Sequence, residues 1–362
     1  MIKLGDICNI LNGRNQKKVE DINGKYPIYG SGGIMGYAND YICKAGTTII
    51  GRKGSINKPL YVNTELWNVD TAFGLQPKEC CNGRFLFYLC KSIDFTRYDK
   101  GVTIPSLVKS DLLQIPVNIP SLEEQSQIVE ELDQLSNIIE KQRQQLSELD
   151  NLAQSIFYDM FGDPVTNEKG WEIITLGHKC EVTSFKRVLI EDVVDEGIPF
   201  IRGTELMALS RGEDVDFSLF ITQEHYDLVS KISGVPKKGD LLIPSINAEA
   251  RIWILNTNQP RYYKDGRVLW VHVNEDLYTS ECLKYIMQEM IKSSYSTFAS
   301  GATFAELKLF VLRELLTILP PLELQQLFAQ KIEAIEQEKE IIKQSIAETE
   351  ELFNSRMYYY FG

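Results

Sequence analysis

Two stretches of the chain carry apolar residues in alternating steps of four and three. Between Leu122 and Gly162 they are Ile128, Leu132, Leu135, Ile139, Leu146, Leu149 and Ile156, with Gln142 and Ala153 filling the gaps. Between Leu322 and Gly362 they are Phe328, Ile332, Ile335, Ile342, Ile346 and Phe353, with Lys339, Thr349 and Arg356 as interruptions. This spacing keeps one apolar seam turned toward a partner helix. Each stretch begins behind a proline break, at Ile119-Pro120-Ser121 and Pro320-Pro321, and ends at glycine, which suits helix start and stop. The pattern predicts two helices of about 35 residues, each about 50 Å long at 1.5 Å per residue.

The two stretches are copies. Read with a constant offset of 200 and no gap, Gly101, Thr103, Leu107, Leu112, Pro120, Leu122, Glu123 and Gln125 recur at 301 to 325. Glu140, Gln144, Glu148, Leu152, Ser155, Tyr158, Phe161 and Gly162 recur at 340 to 362. A tandem duplication explains such a register. A single amphipathic helix would pack on its own globular domain, but two seams of equal length and matching phase are natural partners for each other. The expected fold is α+β: two mixed α/β domains (residues 1–120 and 163–320) separated by an antiparallel pair of coiled-coil helices (121–162 and 321–362), a pseudo-two-fold repeat.

Within the first domain, Tyr26 to Gly36 reads as a turn-rich loop flanked by aromatics. Thr47 to Gly51 reads as a buried strand leading into the loop Arg52 to Lys58, and Leu66 to Leu75 as a further strand region. Arg84 to Ile93 has helical spacing, and Asp111 to Ile119 reads as a strand delivering the chain to the helix. The second domain repeats several of these features. Leu176-Gly177 matches Leu4-Gly5, Lys238 to Ser245 has the shape of Ala45 to Arg52, and Tyr278 to Ile291 mirrors the helix at 84–93. An acidic insertion falls between Glu181 and Lys237.

The net charge of −12 seems to oppose a nucleic-acid partner until it is divided. Residues 1–120 carry 15 basic and 10 acidic side chains, whereas 121–162 carry 2 and 9, and 321–362 carry 4 and 8. The acidity therefore sits largely in the helices, and the first domain is basic. The second domain has a local basic stretch, Lys231 to Trp270, with 7 basic and 3 acidic residues. The local sign decides what a surface attracts.

Candidate chemistry is sparse. Gly30-Ser-Gly-Gly-Ile-Met-Gly36 misses the dinucleotide spacing by one place, and Gly46 to Lys53 has arginine where a phosphate loop needs lysine, with no Ser or Thr following directly. No Asn-Pro-Pro-aromatic motif for adenine methylation, serine–histidine arrangement or metal-spaced cluster stands out. Seven cysteines with no CxxC pairing read as free thiols, and a chain without a signal-peptide core or a run of about 20 apolar residues is expected in the cytoplasm.

At this point the residues resemble a family. Two divergent globular parts, each followed by a Pro-x-Leu-Glu-x-Gln helix (Pro120 to Gln125, Pro320 to Gln325), look like the specificity subunit of a type I restriction–modification system. The leading Leu-Gly, the exit Phe161-Gly162-Asp163-Pro164 and the strand Gly239-Asp-Leu-Leu-Ile243 are similar to that family's patterns, over essentially the whole chain. One departure is Leu324 where the first copy has Glu124. The resemblance implies that each globular part reads one half of a split double-stranded DNA site, with the helices as a ruler. It also implies two methyltransferase subunits, which bring S-adenosylmethionine, and restriction subunits that use ATP, with no cofactor on this chain itself. A non-catalytic reader is thus expected. A related bifunctional cutting-and-methylating system, a coiled-coil scaffold with protein-binding ends and, third, a stand-alone enzyme are the other readings.

DNA readers take affinity from Lys and Arg on phosphates and specificity from Arg, Asn and Gln on base edges. On that chemistry the candidate contacts in the first domain are Tyr29, Ser31, Arg52, Lys53, Asn57 and Lys58. In the second they are Lys186, Arg187, Arg202, Thr204, Ser245, Asn247 and Arg251.

Overall fold

The structure is a computed structural model that describes residues 1–298 and 306–362, the side chains of 295–298 excepted. The repeat positions Gly301 and Thr303 lie outside the described residues. The chain divides into two compact units, residues 1–144 with 342–362 and residues 145–341. A central helix, Leu122–Phe161, and a terminal helix, Leu322–Phe361, each have 40 residues, or about 60 Å. The boundary cuts both, so each unit holds the front of one helix and the back of the other.

In the first unit, α1 (Leu4–Ile7) precedes β1 (Cys8–Asn12), β2 (Tyr26–Gly30), β3 (Gly33–Ala38), β4 (Thr47–Gly51), β5 (Leu60–Val62), β6 (Trp67–Asn68) and β7 (Ala72–Pro77). Helices α2 (Gly83–Ser92) and α3 (Lys109–Leu113) follow. The main sheet runs β1-β7-β4-β5, all antiparallel. All five residues of β4 are buried, and Ile10, Ile50, Phe73 and Leu75 share one core with Phe85, Leu86 and Leu89 of α2. Two expectations need correction here. Tyr26 to Gly36 is not a loop but the β2–β3 hairpin, because β2 also gains a parallel partner in β6, pairing Ile28 with Trp67. Its glycines obscured the alternation. Asp111 to Ile119 is not a strand: it is α3 followed by one isolated bridge, Lys3 to Pro116. Proline has no N–H to extend a ladder.

The second unit runs β8 (Glu172–Thr175), α4 (Leu176–Lys179), β9 (Glu181–Ser184), β10 (Val193–Val194), β11 (Ile198–Ile201), α5 (Gly203–Ser210), β12 (Phe220–Ile221) and α6 (Gln223–Ser233). It continues through β13 (Leu241–Pro244), β14 (Trp253–Ile254), β15 (Tyr262–Tyr263), β16 (Val268–His272), α7 (Ser280–Phe298), α8 (Leu309–Arg313) and β17 (Leu316–Leu319). Its main sheet has the order β9-β16-β13-β14, the same topology as β1-β7-β4-β5. The small sheets share the orders β3-β2-β6 and β12-β11-β15, β11 lying parallel to β15 as β2 does to β6, and β10 adds a fourth strand in the second unit. Where the first unit has only the Pro116 bridge, Leu316 opens a full ladder between β17 and β8. Helices α5 and α6 occupy the expected insertion.

The duplication extends to single hydrogen bonds. The Leu4 amide donates to the Ile115 carbonyl at 2.8 Å, and the Leu176 amide to that of Leu315 at 2.9 Å. A methyl group on Gly5 would stand 2.8 Å from the Leu113 side chain, and one on Gly177 2.8 Å from the Arg313 carbonyl. The Leu-Gly pair is therefore the place where a short helix lies against α3 or α8 too closely for any side chain.

The two long helices clasp each other inside both units. In the first, Arg356 meets Glu131 at 2.8 Å, Arg143 meets Glu350 at 2.5 Å, and the Gln142 amide donates to Ser345 Oγ at 2.7 Å. As the central helix advances the terminal helix retreats, so the pair is antiparallel. In the second unit, Lys339 meets Asp150 at 2.7 Å, and the rings of Phe157 and Phe161 stand 5.8 and 5.3 Å from that of Phe328. All thirteen seam residues, from Ile128 to Ile156 and from Phe328 to Phe353, are buried or half-buried. Gln142, Lys339 and Arg356, three of the polar interruptions, are cross-helix partners. The helices also close the globular cores: Phe361 packs on Phe85, and Phe328 on Tyr285 of α7. Among the described residues no helix is long and apolar enough to cross a membrane.

Candidate nucleic-acid interface

Both units turn a loop out at the same corner of the main sheet. After β4, the Arg52 amide donates to the Thr71 carbonyl at 2.8 Å, and its carbonyl accepts from Leu107 N at 2.8 Å. After β13, Ser245 does the same with Arg267 at 3.0 Å and Leu307 at 2.7 Å. Arg52 and Ser245 are thus equivalent, and the loops beyond them begin from matching backbone.

In the first unit the hairpin turn rests on this loop. A methyl group on Gly51 would lie 2.2 Å from the Ser55 carbonyl and 3.1 Å from Ser31 Cβ, so glycine is required there. Tyr29 is half-buried on β2, where burial, aided by Tyr37, raises its phenol above the ordinary value. The Arg52 guanidinium lies over the Phe73 ring at 5.8 Å and donates to the Asp70 carbonyl at 3.4 Å. Lys53 and Lys58 are exposed, and among the described residues Arg52, Lys53 and Lys58 join no salt bridge. Asn57 is also exposed, but its Oδ1 is engaged by the chain itself, accepting from Phe95 N at 3.0 Å. A third segment completes the group: Gly54 N donates to Pro105 O at 3.0 Å, and Lys53 bridges Ser106. The Asp99 carboxylate holds that segment by accepting from Ser106 N and Gly101 N at 2.7 Å each, which lowers its pKa below the usual carboxylate value. Val102 and Ile104 project from it into solvent. Sequence reasoning named no residue there, although the duplicated Gly101 and Thr103 were a signal.

The second unit scatters its candidates. Lys186 and Arg187 are exposed beyond β9 and join no salt bridge among the described residues. Arg202 pairs with Glu205, whose carboxylate also accepts from Thr204 Oγ1 at 2.9 Å and from Arg202 N at 3.0 Å. Burial, the largest single influence on Glu205, works to raise its pKa, but these bonds together hold it down to about 2. Arg251 contacts Glu249 at 3.0 Å. Ser245 and Asn247 are buried, and Asn247 closes its loop through Arg251, donating to its carbonyl at 2.6 Å and accepting from its amide at 2.7 Å. Of the four charged candidates in this unit, Lys186 and Arg187 join no salt bridge among the described residues, whereas Arg202 and Arg251 each pair with a glutamate.

Among the described residues no group of three or more His, Cys, Asp and Glu is placed to hold a metal ion. His272 Nδ1 stands 2.8 Å from the buried Asp240 carboxylate, which also accepts from Trp270 Nε1 at 2.8 Å. That arrangement braces β16 against the turn before β13.

Residues 1–150 match the family described as the type I restriction modification DNA specificity domain. The chain is 25% identical over 331 residues to a putative type I restriction enzyme specificity subunit of Haemophilus influenzae, covering 88% of this chain and 83% of that one. It is 26% identical over 304 residues to the MjaIX specificity subunit of Methanocaldococcus jannaschii, covering 77% and 67%. Its fold matches the crystal structure of a type I restriction–modification S subunit from M. genitalium with a TM-score of 0.60 at 15% identity, over 99% and 95% of the two chains. A chain solved in work on complex assembly and conformational transition of the type I R-M system gives 0.55 at 17%, over 98% and 95%. The resemblance found in the sequence thus holds for the family model, for the relatives and for the fold.

Proposed function

We propose that this chain, whose first 150 residues match a type I restriction–modification DNA specificity domain and which resembles specificity subunits along most of its length, reads a DNA target divided into two half-sites. Each unit addresses one half through the loops at the corner of its main sheet, and the clasped helices set the gap. Two methyltransferase subunits carry S-adenosylmethionine and the reaction; restriction subunits with ATP join them, and this chain supplies recognition alone. The observation that carries this reading is the repetition of one sheet order, with one strand-end corner, in two units whose outgoing loops differ in sequence. A shared scaffold with divergent loops suits two different base sequences, since loops carry function while scaffolds carry packing.

The decisive experiment maps adenine methylation genome-wide with and without the gene. The expected result is a motif of two short blocks separated by unspecified bases, lost on deletion. A methylation pattern unchanged by deletion would remove the reading, and a continuous motif would remove the division of labour between the units.

A further inference from the structure

Gln125 and Gln325 occupy equivalent places in the two long helices, and both are fully buried. Gln125 Oε1 accepts from the amide of Asn82, the N-cap of α2, at 2.8 Å. Its Nε2 donates to the carbonyls of Cys80 at 3.0 Å and Pro120 at 2.9 Å. Gln325 repeats the set: Oε1 accepts from Thr279 N at 3.0 Å, and Nε2 donates to Leu277 at 2.9 Å and Pro320 at 2.8 Å. One carboxamide therefore joins the run-in to a domain helix, the start of that helix and the proline break where the long helix begins. The site demands one acceptor and two donors on a side chain of this reach, and glutamine alone supplies them. Glutamate would keep the acceptor and turn a negative oxygen on two carbonyls; leucine would leave three buried backbone groups unmade.

We propose that Gln125 and Gln325 are positioning residues that fix the angle between each recognition domain and its long helix, and through it the DNA gap the protein accepts. The proposal rests on the divided-target reading above. Lever length makes the angle matter. A swing of about 5° at the start of a rod about 60 Å long moves its far end by roughly 5 Å, more than the roughly 3.4 Å between base pairs. A joint held by three directed hydrogen bonds resists such a swing better than apolar packing, which is not directional.

The test uses the complex of this chain with its methyltransferase subunits, on duplexes carrying both half-sites at the native gap and at gaps one base pair shorter and longer. In Gln125→Leu and in Gln325→Leu, methylation at the wrong gaps relative to the native gap is expected to rise about tenfold, equivalent to about 1.4 kcal/mol of lost restraint. The penalty for changing a base within a half-site is expected to stay the same. A gap preference equal to that of the unaltered protein overturns the proposal, as does an equal loss at all gaps. Where a leucine variant does not fold, Gln125→Glu and Gln325→Glu are read by the same ratio. A second readout needs no DNA: spin labels at the exposed positions 79 and 130, with Cys80→Ser, report the distance across the first joint. Gln125→Leu is expected to broaden that distance distribution, and an unchanged width overturns the joint itself. If the unaltered complex methylates no divided site while the distribution broadens, the functional reading has failed and the joint has not.

Discussion

Arg52 and Lys53 sit where the loop proposed to read bases leaves the sheet, and neither joins a salt bridge among the described residues. Replacing both with alanine is expected to weaken DNA binding by about 1–3 kcal/mol for each side chain that reads a base edge, with a shallower salt dependence, measured by titration at fixed and varied salt with the fold checked by melting. Unchanged affinity rules the loop out. The thiols give a second residue-scale test. Cys80 is exposed, whereas Cys8, Cys43 and Cys81 are buried, and burial pushes each of these three up to about 12. A thiol reagent should therefore modify one cysteine rapidly in the native protein and seven in denaturant. A group raised on folding stays neutral in the folded chain while the unfolded chain ionises near 9. Its contribution is complete below that pH and is lost as pH climbs toward 12. The melting temperature should fall progressively above about pH 9, and a flat profile there would contradict the burial of these thiols. Residue roles were the least legible part of the sequence. Asn247 and Asn57 have the chemistry of base readers, yet each bonds the backbone of its own unit, and composition cannot show which way an amide points. Val102 and Ile104 went unnoticed as solvent-facing groups, because exposure of an apolar side chain is decided by tertiary packing.

The long helices were the most legible elements, because a seam with a 4–3 period and a proline start is specified within each helix itself. Their polar interruptions had no assigned role in the sequence, and the structure makes three of them partners across the seam. Lys339 is the informative one. Its side chain is 14% exposed, while its partners Asp150 and Glu336 are 67% and 51% exposed. Burial works to lower its pKa, but its ion pairs outweigh burial and raise it above the ordinary lysine value. Lys339→Met, which removes those pairs and leaves the carboxylates hydrated, should therefore lower stability by no more than about 1 kcal/mol, read as a small fall in melting temperature. Gln142 lies opposite Ser345, so heptads inserted after Gln142 and after Ile342 would face each other. That double insertion is expected to lengthen the accepted gap and leave both half-sites unchanged, as scored on duplexes of graded spacing; altered half-sites would show that the helices do more than space. Short elements fared worse. β6 and β7 were read as one strand region, but residues 69–71 turn the chain from one sheet into another, a choice made by tertiary partners.

At the level of the whole molecule the duplication was visible in the register of the repeat, but its completeness was not. Sheet order and paired backbone bonds match even where the sequences have diverged, since a sheet constrains burial more than identity. Leu4 corresponds to Leu176, so Met1 corresponds to Ile173, and residues 163–172 bridge the end of the central helix to its next domain. A permuted chain opened between Gly162 and Asp163, with a second copy of residues 163–172 joining Gly362 to Met1, is expected to fold and to direct methylation to the same motif. Loss of cooperative melting in that chain would show that the two copies are not interchangeable in connection. The sharing of helices has one more consequence, which concerns time. Phe353 and Phe361 cover Tyr88 and Phe85 in the first unit, yet the ribosome reaches Phe353 192 residues after the central helix ends at Phe161. At about 5–20 residues per second, the nascent first domain waits roughly 10–40 s with those aromatic rings uncovered, and through that interval its solubility depends on whatever else in the cell shields them.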